Sequence, residues 1–275
     1  MTPRPLTDTQ LASVLRFVAD EEVAVWLETS RPGANDCHSL LFHAPVALLT
    51  CTAATPPACF FAEAESYLRQ GYHLAGWFAY EFGYLMEPAL QRLLPGSATP
   101  LAVIGAFPPP LVFDHANGTW NQAPPWPTTE APPPPATYHL THLRLAEDEA
   151  HYRHNLARIK EYIAAGDTYQ VNYTLKLRFD FTGSAAALYT ALRRNQSVAY
   201  SAWLAMGGQR ILSFSPELFF RKEGDRCTVR PMKGTSRRAI LAAEDAHRAE
   251  ALRHDEKNRS ENVMIVDLLR NDLGR

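Results

Sequence analysis

The sequence is poor in cysteine, nearly neutral, and free of long apolar runs, and each lack excludes something. Its four cysteines, Cys37, Cys51, Cys59 and Cys227, include no CxxC pair. In a chain of 275 residues they read as reduced core thiols, which argues against a disulfide framework. The formal net charge of -2 offers no electrostatic case for nucleic acid or for an anionic membrane. No apolar run reaches membrane-spanning length, and the opening MTPRPLTDTQLASVLRF lacks the apolar core of a secretion signal. A cytoplasmic protein that binds neither nucleic acid nor membrane is therefore expected. No internal repeat is visible. What remains is an ordinary globular composition, 46% hydrophobic and 20% charged, with length enough for one large or two modest domains.

The first 120 residues predict a mixed domain. Residues 7–19 suit a helix with Leu11, Leu15 and Val18 on one face, and 62–69 suit another that stops at Gly71. Short apolar runs at 23–27, 46–51, 101–107 and 111–114 read as strands, with a hairpin turn at Asn117-Gly118. LAGWFAYEFGY, 74–84, reads as a buried strand in close backbone contact with a neighbour. Ten of the 21 prolines then fall between Pro108 and Pro135. Proline cannot donate to a strand ladder and favours extended geometry, so 121–137 is expected to be a linker or a surface excursion.

Beyond it, Tyr152, Leu156, Ile159 and Ile163 recur at helical spacing up to a capping Gly166. From Tyr169 to Phe181 apolar and polar residues alternate strictly, which predicts a long strand. A helix is expected at 186–194, strands at 198–205, 211–214, 218–221 and 227–230, a charged helix at 244–253, and a closing helix from Glu261 to Leu273.

Three charges in the last 60 or so residues stand among apolar neighbours, and a charged group is seldom buried without a partner or a task. Glu217 follows a Ser-Pro turn beside Phe214, Leu218, Phe219 and Phe220. Desolvation would favour its protonated form and suit a general acid for a hydroxyl leaving group; the alternative is a strand-edge carboxylate paired with Arg221 or Lys222. Lys233 sits in Pro-Met-Lys-Gly-Thr, where small neighbours let its amine approach a ligand as nucleophile or base; the alternative is an ordinary surface lysine. Glu261 opens an apolar helix, either as a Mg²⁺ ligand or simply as a carboxylate favoured by the helix dipole. Asp267 and Asp272 are weaker metal candidates. The pairs His139/His142 and His151/His154 lack companion ligands for zinc.

SPELFF, RPMKGTSRR, ENVMIVDLLRNDLGR and the earlier AGDTYQVNYT, with WLETS and GWFAYEFGY towards the N-terminus, resemble the motifs of the chorismate-utilising enzymes. That family includes anthranilate synthase component I, isochorismate and salicylate synthases, and aminodeoxychorismate synthase component I. The resemblance implies an α+β fold of antiparallel sheets forming a sandwich flanked by helices. It also implies an N-terminal domain at 1–120, the linker at 121–137, and the first half of a chorismate-binding catalytic domain at 138–275. Lysine in P-x-K-G-T resembles the aminodeoxychorismate synthases, whereas anthranilate synthases usually carry a small residue there.

On that resemblance Lys233 is the nucleophile and Glu217 the acid, Thr235 and Gly234 belong to the substrate pocket, and Glu261 binds Mg²⁺. The substrates are chorismate and ammonia, the latter from a glutamine amidotransferase subunit, and the product leads to 4-aminobenzoate and folate. Glu28 and Thr29, in Leu-Glu-Thr-Ser, are close to the family's tryptophan-pocket segment but altered from it. Family members continue past the NDLG motif, so the resemblance further implies a truncated member, inert or weak by itself. The rival readings are anthranilate synthase component I and a non-catalytic docking or binding chain.

Overall fold

The computed structural model describes residues 3–96, 98–127 and 137–274. Most of the expected linker, 128–136, lies outside the described residues. The chain begins with α1 (Asp8–Asp20). Thr7 caps it by accepting from the Gln10 N–H at 3.2 Å, while the Gln10 side chain accepts from the Thr7 N–H at 2.9 Å. Two orphan amides are thus satisfied reciprocally.

There follow β1 (Ala24–Glu28), β2 (His38–His43), β3 (Ala47–Thr52), α2 (Pro57–Arg69) and β4 (His73–Phe78). Two 3₁₀ turns, Tyr80–Phe82 and Pro88–Leu93, flank the short α3 (Gly83–Met86). Next come β5 (Pro100–Phe107), β6 (Leu111–Asp114), β7 (Thr119–Trp120), β8 (Tyr138–Leu145), α4 (Glu149–Ala165), β9 (Leu177–Gly183) and α5 (Ala185–Asn195). The last elements are β10 (Tyr200–Met206), β11 (Gln209–Ser215), β12 (Arg221–Glu223), β13 (Arg226–Thr228), α6 (Ala242–His254) and α7 (Glu256–Leu273).

All strand pairs are antiparallel. The main sheet has the order β11-β10-β1-β2-β6-β7, and a second sheet β3-β5-β4. Strand β10 pairs with β1 along its length, Trp203 opposite Trp26, so chain on both sides of the proline-rich stretch shares one sheet. Successive side chains point to opposite faces, and this sorts the core. Trp26, Leu41, Phe113 and Trp203 face α1 and Tyr189 of α5. Val25, Phe42, Leu204 and Met206 face Ala75, Val103 and Phe107 of the second sheet. On the far side, Leu49, Leu101 and Ile104 are covered by Phe60 and Ala64 of α2. The result is the α+β sandwich of antiparallel sheets with helices on both outer faces. Glycine permits the tightest approach within it, since a Cβ on Gly76 of β4 would lie 2.0 Å from the Val103 carbonyl of β5.

Several expected elements differ. The 74–84 strand ends at Phe78; Ala79 stays extended as a cap, and Tyr80–Phe82 turn into 3₁₀ geometry instead. Of the alternating run 169–181 only the end is strand. Its ladder partner β8 pairs from Leu145↔Leu177 to Tyr138↔Gly183, so 169–176 have no facing strand among the described residues. Alternation is a property of side chains, whereas a strand needs a hydrogen-bonding neighbour. The 218–221 strand is displaced to Arg221–Glu223, and α7 begins at Glu256, capped by Asp255, rather than at Glu261. Strands β2 and β8 went unforeseen, because histidines and threonine break up their apolar content. All four cysteines are free, but only Cys51 is a core thiol; Cys59 and Cys227 are exposed.

Candidate active site

The C-terminal end of β1 delivers Glu28 into the core, its side chain wholly buried. The Tyr189 hydroxyl donates to Oε2 at 2.8 Å and the Arg193 Nε to Oε1 at 2.6 Å, both from α5. Burial raises the Glu28 pKa, against the pull of Arg193 and of the Tyr189 hydrogen bond. Thr29 follows, its N–H donating to Ser39 Oγ at 3.0 Å and its hydroxyl to the His38 carbonyl at 2.9 Å. Ser39 Oγ also lies 2.7 Å from Nε2 of buried His115, whose Nδ1 faces the Arg4 carbonyl at 2.7 Å. A carbonyl only accepts, so Nδ1 carries the proton and Nε2 accepts from Ser39. Burial lowers the His115 pKa, consistent with this neutral form.

A cleft of about 760 Å³ opens at this end of the main sheet, lined by Glu28, Thr29, Asp36, Tyr200, Glu217 and Arg221 among others. The structure thereby brings Glu217 together with Glu28 and Thr29. The Ser215-Pro216-Glu217 turn is held by Ser215, whose Oγ accepts from the Glu217 N–H at 3.2 Å and donates to the Glu217 carbonyl at 3.0 Å. Two expectations for Glu217 are corrected here. It is exposed rather than enclosed by its aromatic neighbours, and Phe219 is 88% exposed. Nor does Arg221 pair with it, because that guanidinium donates to Asp36 Oδ1 at 2.6 Å and to the Asn35 carbonyl at 2.9 Å.

Lys233, Gly234 and Thr235 do not line this cleft. They lie on the irregular stretch after β13, with Lys233 half-buried and Thr235 exposed. Gly234 has φ +81°, and a Cβ there would lie 2.7 Å from Asn258 Oδ1, so the loop presses on the first turn of α7. A side chain would meet both backbone strain and a clash. Glu261 stands three residues beyond Asn258, on the same helix face and half-buried, with Lys257 Nζ 4.0 Å away. As the sixth residue of α7 it lies beyond the first turn, which removes the helix-start explanation. The structure thus sets the lysine loop against the helix of Glu261.

A family model described as chorismate binding enzyme matches residues 29–275. The chain belongs to the chorismate-binding enzymes. It is 30% identical over 209 residues to aminodeoxychorismate synthase component 1 of Salmonella typhimurium, covering 73% of this chain and 46% of that one. It is 41% identical over 128 residues to anthranilate synthase component 1 of Streptomyces coelicolor, covering 46% of this chain and 25% of that one. Among solved structures it resembles anthranilate synthase component I of Streptococcus pneumoniae, with a TM-score of 0.65 and 19% identity, over 89% of this chain and 63% of that one. That likeness shows the shared fold. The chain spans about half or less of the length of these sequence relatives.

For this member of the family, the donor set at Glu261 bears on a metal. No group of three or more His, Cys, Asp or Glu is placed to hold an ion among the described residues. A lone carboxylate suits Mg²⁺, which often takes one or two protein carboxylates and completes its shell with substrate oxygens and water. Sequence reasoning missed Asp36 altogether. It accepts from Arg221, from Arg230 Nη1 at 2.9 Å and from the Tyr200 hydroxyl at 3.2 Å. Burial alone would raise its pKa; the hydrogen bonds from Arg230 and Arg221 outweigh it and hold the carboxyl below its usual value. The available signal was the pair of arginines just after SPELFF and at the head of RPMKGT, which need an acidic partner from elsewhere in the chain.

Proposed function

We propose that the chain carries part of an aminodeoxychorismate synthase component I site, aminating chorismate to 4-amino-4-deoxychorismate on the way to 4-aminobenzoate and folate. The observation that carries this reading is Lys233 within Pro-Met-Lys-Gly-Thr, on a loop seated against the helix of Glu261. In the proposed reaction the Lys233 amine adds at ring carbon C2 as the hydroxyl departs from C4 with a proton from Glu217. The ring double bonds shift accordingly. Ammonia then adds at C4, and the lysine leaves C2 with its electron pair, so ring and enolpyruvyl ether are retained. With a small residue at 233, C2 would stand open to ammonia, which leads towards anthranilate.

Glu261 is the residue that would hold Mg²⁺, which when bound neutralises a substrate carboxylate. Gly234 and Thr235 would border the ring. Ammonia would come from a glutamine amidotransferase partner, and the reaction would run in the cytoplasm; no helix among the described residues is long and apolar enough to cross a membrane. Glu28 and Thr29 line the cleft where the family resemblance sets a tryptophan pocket. Glu28 is committed to Arg193 and Tyr189 there, so it would act on a ligand through the shape of the wall rather than by a direct ion pair.

The reading is tested by placing this segment in a family-length protein, incubating it with chorismate, Mg²⁺ and ammonium, and following both protein and product by mass. A chorismate-derived adduct on Lys233, absent from Lys233→Ala, and a product that keeps its pyruvyl carbons are expected. Anthranilate, which has lost pyruvate, would assign the chain to the other branch. Chorismate binding that ignores Mg²⁺, with neither adduct nor product, would favour a binding chain without catalysis.

A further inference from the structure

The segments that carry Glu217 and Lys233 are joined by the β12–β13 hairpin, Arg221 to Thr228. This hairpin is a sheet of its own, hydrogen-bonded to no other strand among the described residues. A lone two-stranded ribbon is marginal in water, so side chains must set its position. The clearest tie is the Asp36 carboxylate. It sits on the loop between β1 and β2, with its side chain only 12% exposed. Arg221, the first residue of the hairpin, reaches one carboxylate oxygen at 2.6 Å, and Arg230, two residues past its end, reaches the other at 2.9 Å. Arg230 Nη1 also donates to the Tyr200 hydroxyl at 3.0 Å, and Tyr200 belongs to the main sheet. One carboxylate therefore grips both ends of the ribbon and anchors them to the sandwich. Arg221 lies four residues after Glu217, and Arg230 three before Lys233.

We infer that Asp36 is a positioning residue, a clasp that keeps the Glu217 and Lys233 segments in fixed relation. The clasp itself follows from the contacts; its bearing on chemistry rests on the functional reading above. Two hydrogen bonds between ions that converge on one largely buried carboxylate, with partly exposed guanidinium groups, are directional enough to set the ribbon against the sheet, which a lone exposed pair is not. Asparagine keeps the shape of aspartate but has neither the charge nor a second accepting oxygen, while glutamate keeps both.

The test compares wild type, Asp36→Asn and Asp36→Glu by amide hydrogen exchange and by trace acylation of lysines. In Asp36→Asn the amides of β12 and β13 should exchange roughly tenfold faster, as expected for local release of a small unit. Those of β1 and β10 should stay unchanged, which reports an intact sandwich. Labelling of Lys233 relative to Lys160 on α4 should change severalfold, and Asp36→Glu should restore both readouts. Arg230→Gln, which leaves Asp36 in place, should loosen the ribbon in the same way. Unchanged exchange in β12 and β13 with an intact sandwich overturns the clasp, and so does equal exchange in all strands, which would mean general destabilisation. If the sandwich of Asp36→Asn does not fold, Arg230→Gln decides on the same criteria. Both readouts are free of chorismate, so a family-length protein without adduct or product would sink the functional reading and leave the clasp standing or falling on exchange alone.

Discussion

Buried side chains and candidate chemistry occupy different parts of this molecule. Among the described residues, every buried side chain lies between Leu6 and His115 or between Tyr189 and Met206, and none lies in 137–183 or 207–274. Yet Glu217, Lys233, Gly234, Thr235 and Glu261 all fall in 207–274. The sandwich is close-packed on both faces of its main sheet. The second region stands largely in solvent, with Leu177, Phe179 and Phe181 of β9 and Val263 and Leu268 of α7 exposed. The lesson is one of dielectric. A carboxylate or amine is tuned by removal from water. Glu28, buried, has its pKa raised; Glu217, which the sequence placed among aromatics, stands open.

Substitutions in the two regions should differ widely in their effect on stability. Trp203→Ala should cost roughly 3–5 kcal/mol in chemical denaturation, since its ring is fully buried between β1 and α5. Glu28→Ala should cost a similar amount, about 3–5 kcal/mol, because it leaves the Arg193 guanidinium, 12% exposed, without its counter-ion. Either variant behaving as wild type would dissolve the distinction.

Tyr189→Phe removes one of the two donors to Glu28 and should cost about 1–3 kcal/mol. His115 predicts a pH signature. Its pKa in the folded chain lies below the ordinary 6.5, so the stability it confers is fully present above pH 6.5 and is lost as pH falls through the lowered value. Denaturation followed from pH 7.5 downward should show that slope, and His115→Gln should flatten it.

At the small end, Phe179→Ser and Lys233→Ala should each shift stability by less than about 0.5 kcal/mol, because neither side chain is buried. A large loss in either would mean that the second region has a packed core after all.

Much of the sandwich was legible beforehand, and the reason is periodicity. Leu11, Leu15 and Val18 recur at the spacing of a helix face, and that face is buried in α1. The run 101–107 is apolar at nearly every position, as a strand covered on both faces must be, and β5 runs down the middle of the second sheet. Legibility failed where partners decide. The alternation from Tyr169 to Phe181 is as regular as any in the chain, but only its end has a facing strand. Sequence proximity offers Arg221 or Lys222 as an alternative partner for Glu217, but in space Arg221 is taken by Asp36, 185 residues away.

Local pattern along the chain settles the α+β class, the buried face of α1, the strands of the second sheet, and the motif set that places the chain among the chorismate-binding enzymes; the apolar stripe read for α4 buries nothing among the described residues. The settled features are written in local spacing and residue type, which short-range sterics and side-chain polarity translate directly. Only the tertiary structure decided that β10 completes the sheet begun by β1, that Glu28 is committed to α5, that the Gly234 loop rests on Asn258, and that Asp36 holds two arginines from a distant hairpin. Each of those depends on which groups meet across the fold, and no periodicity along the chain records such a meeting.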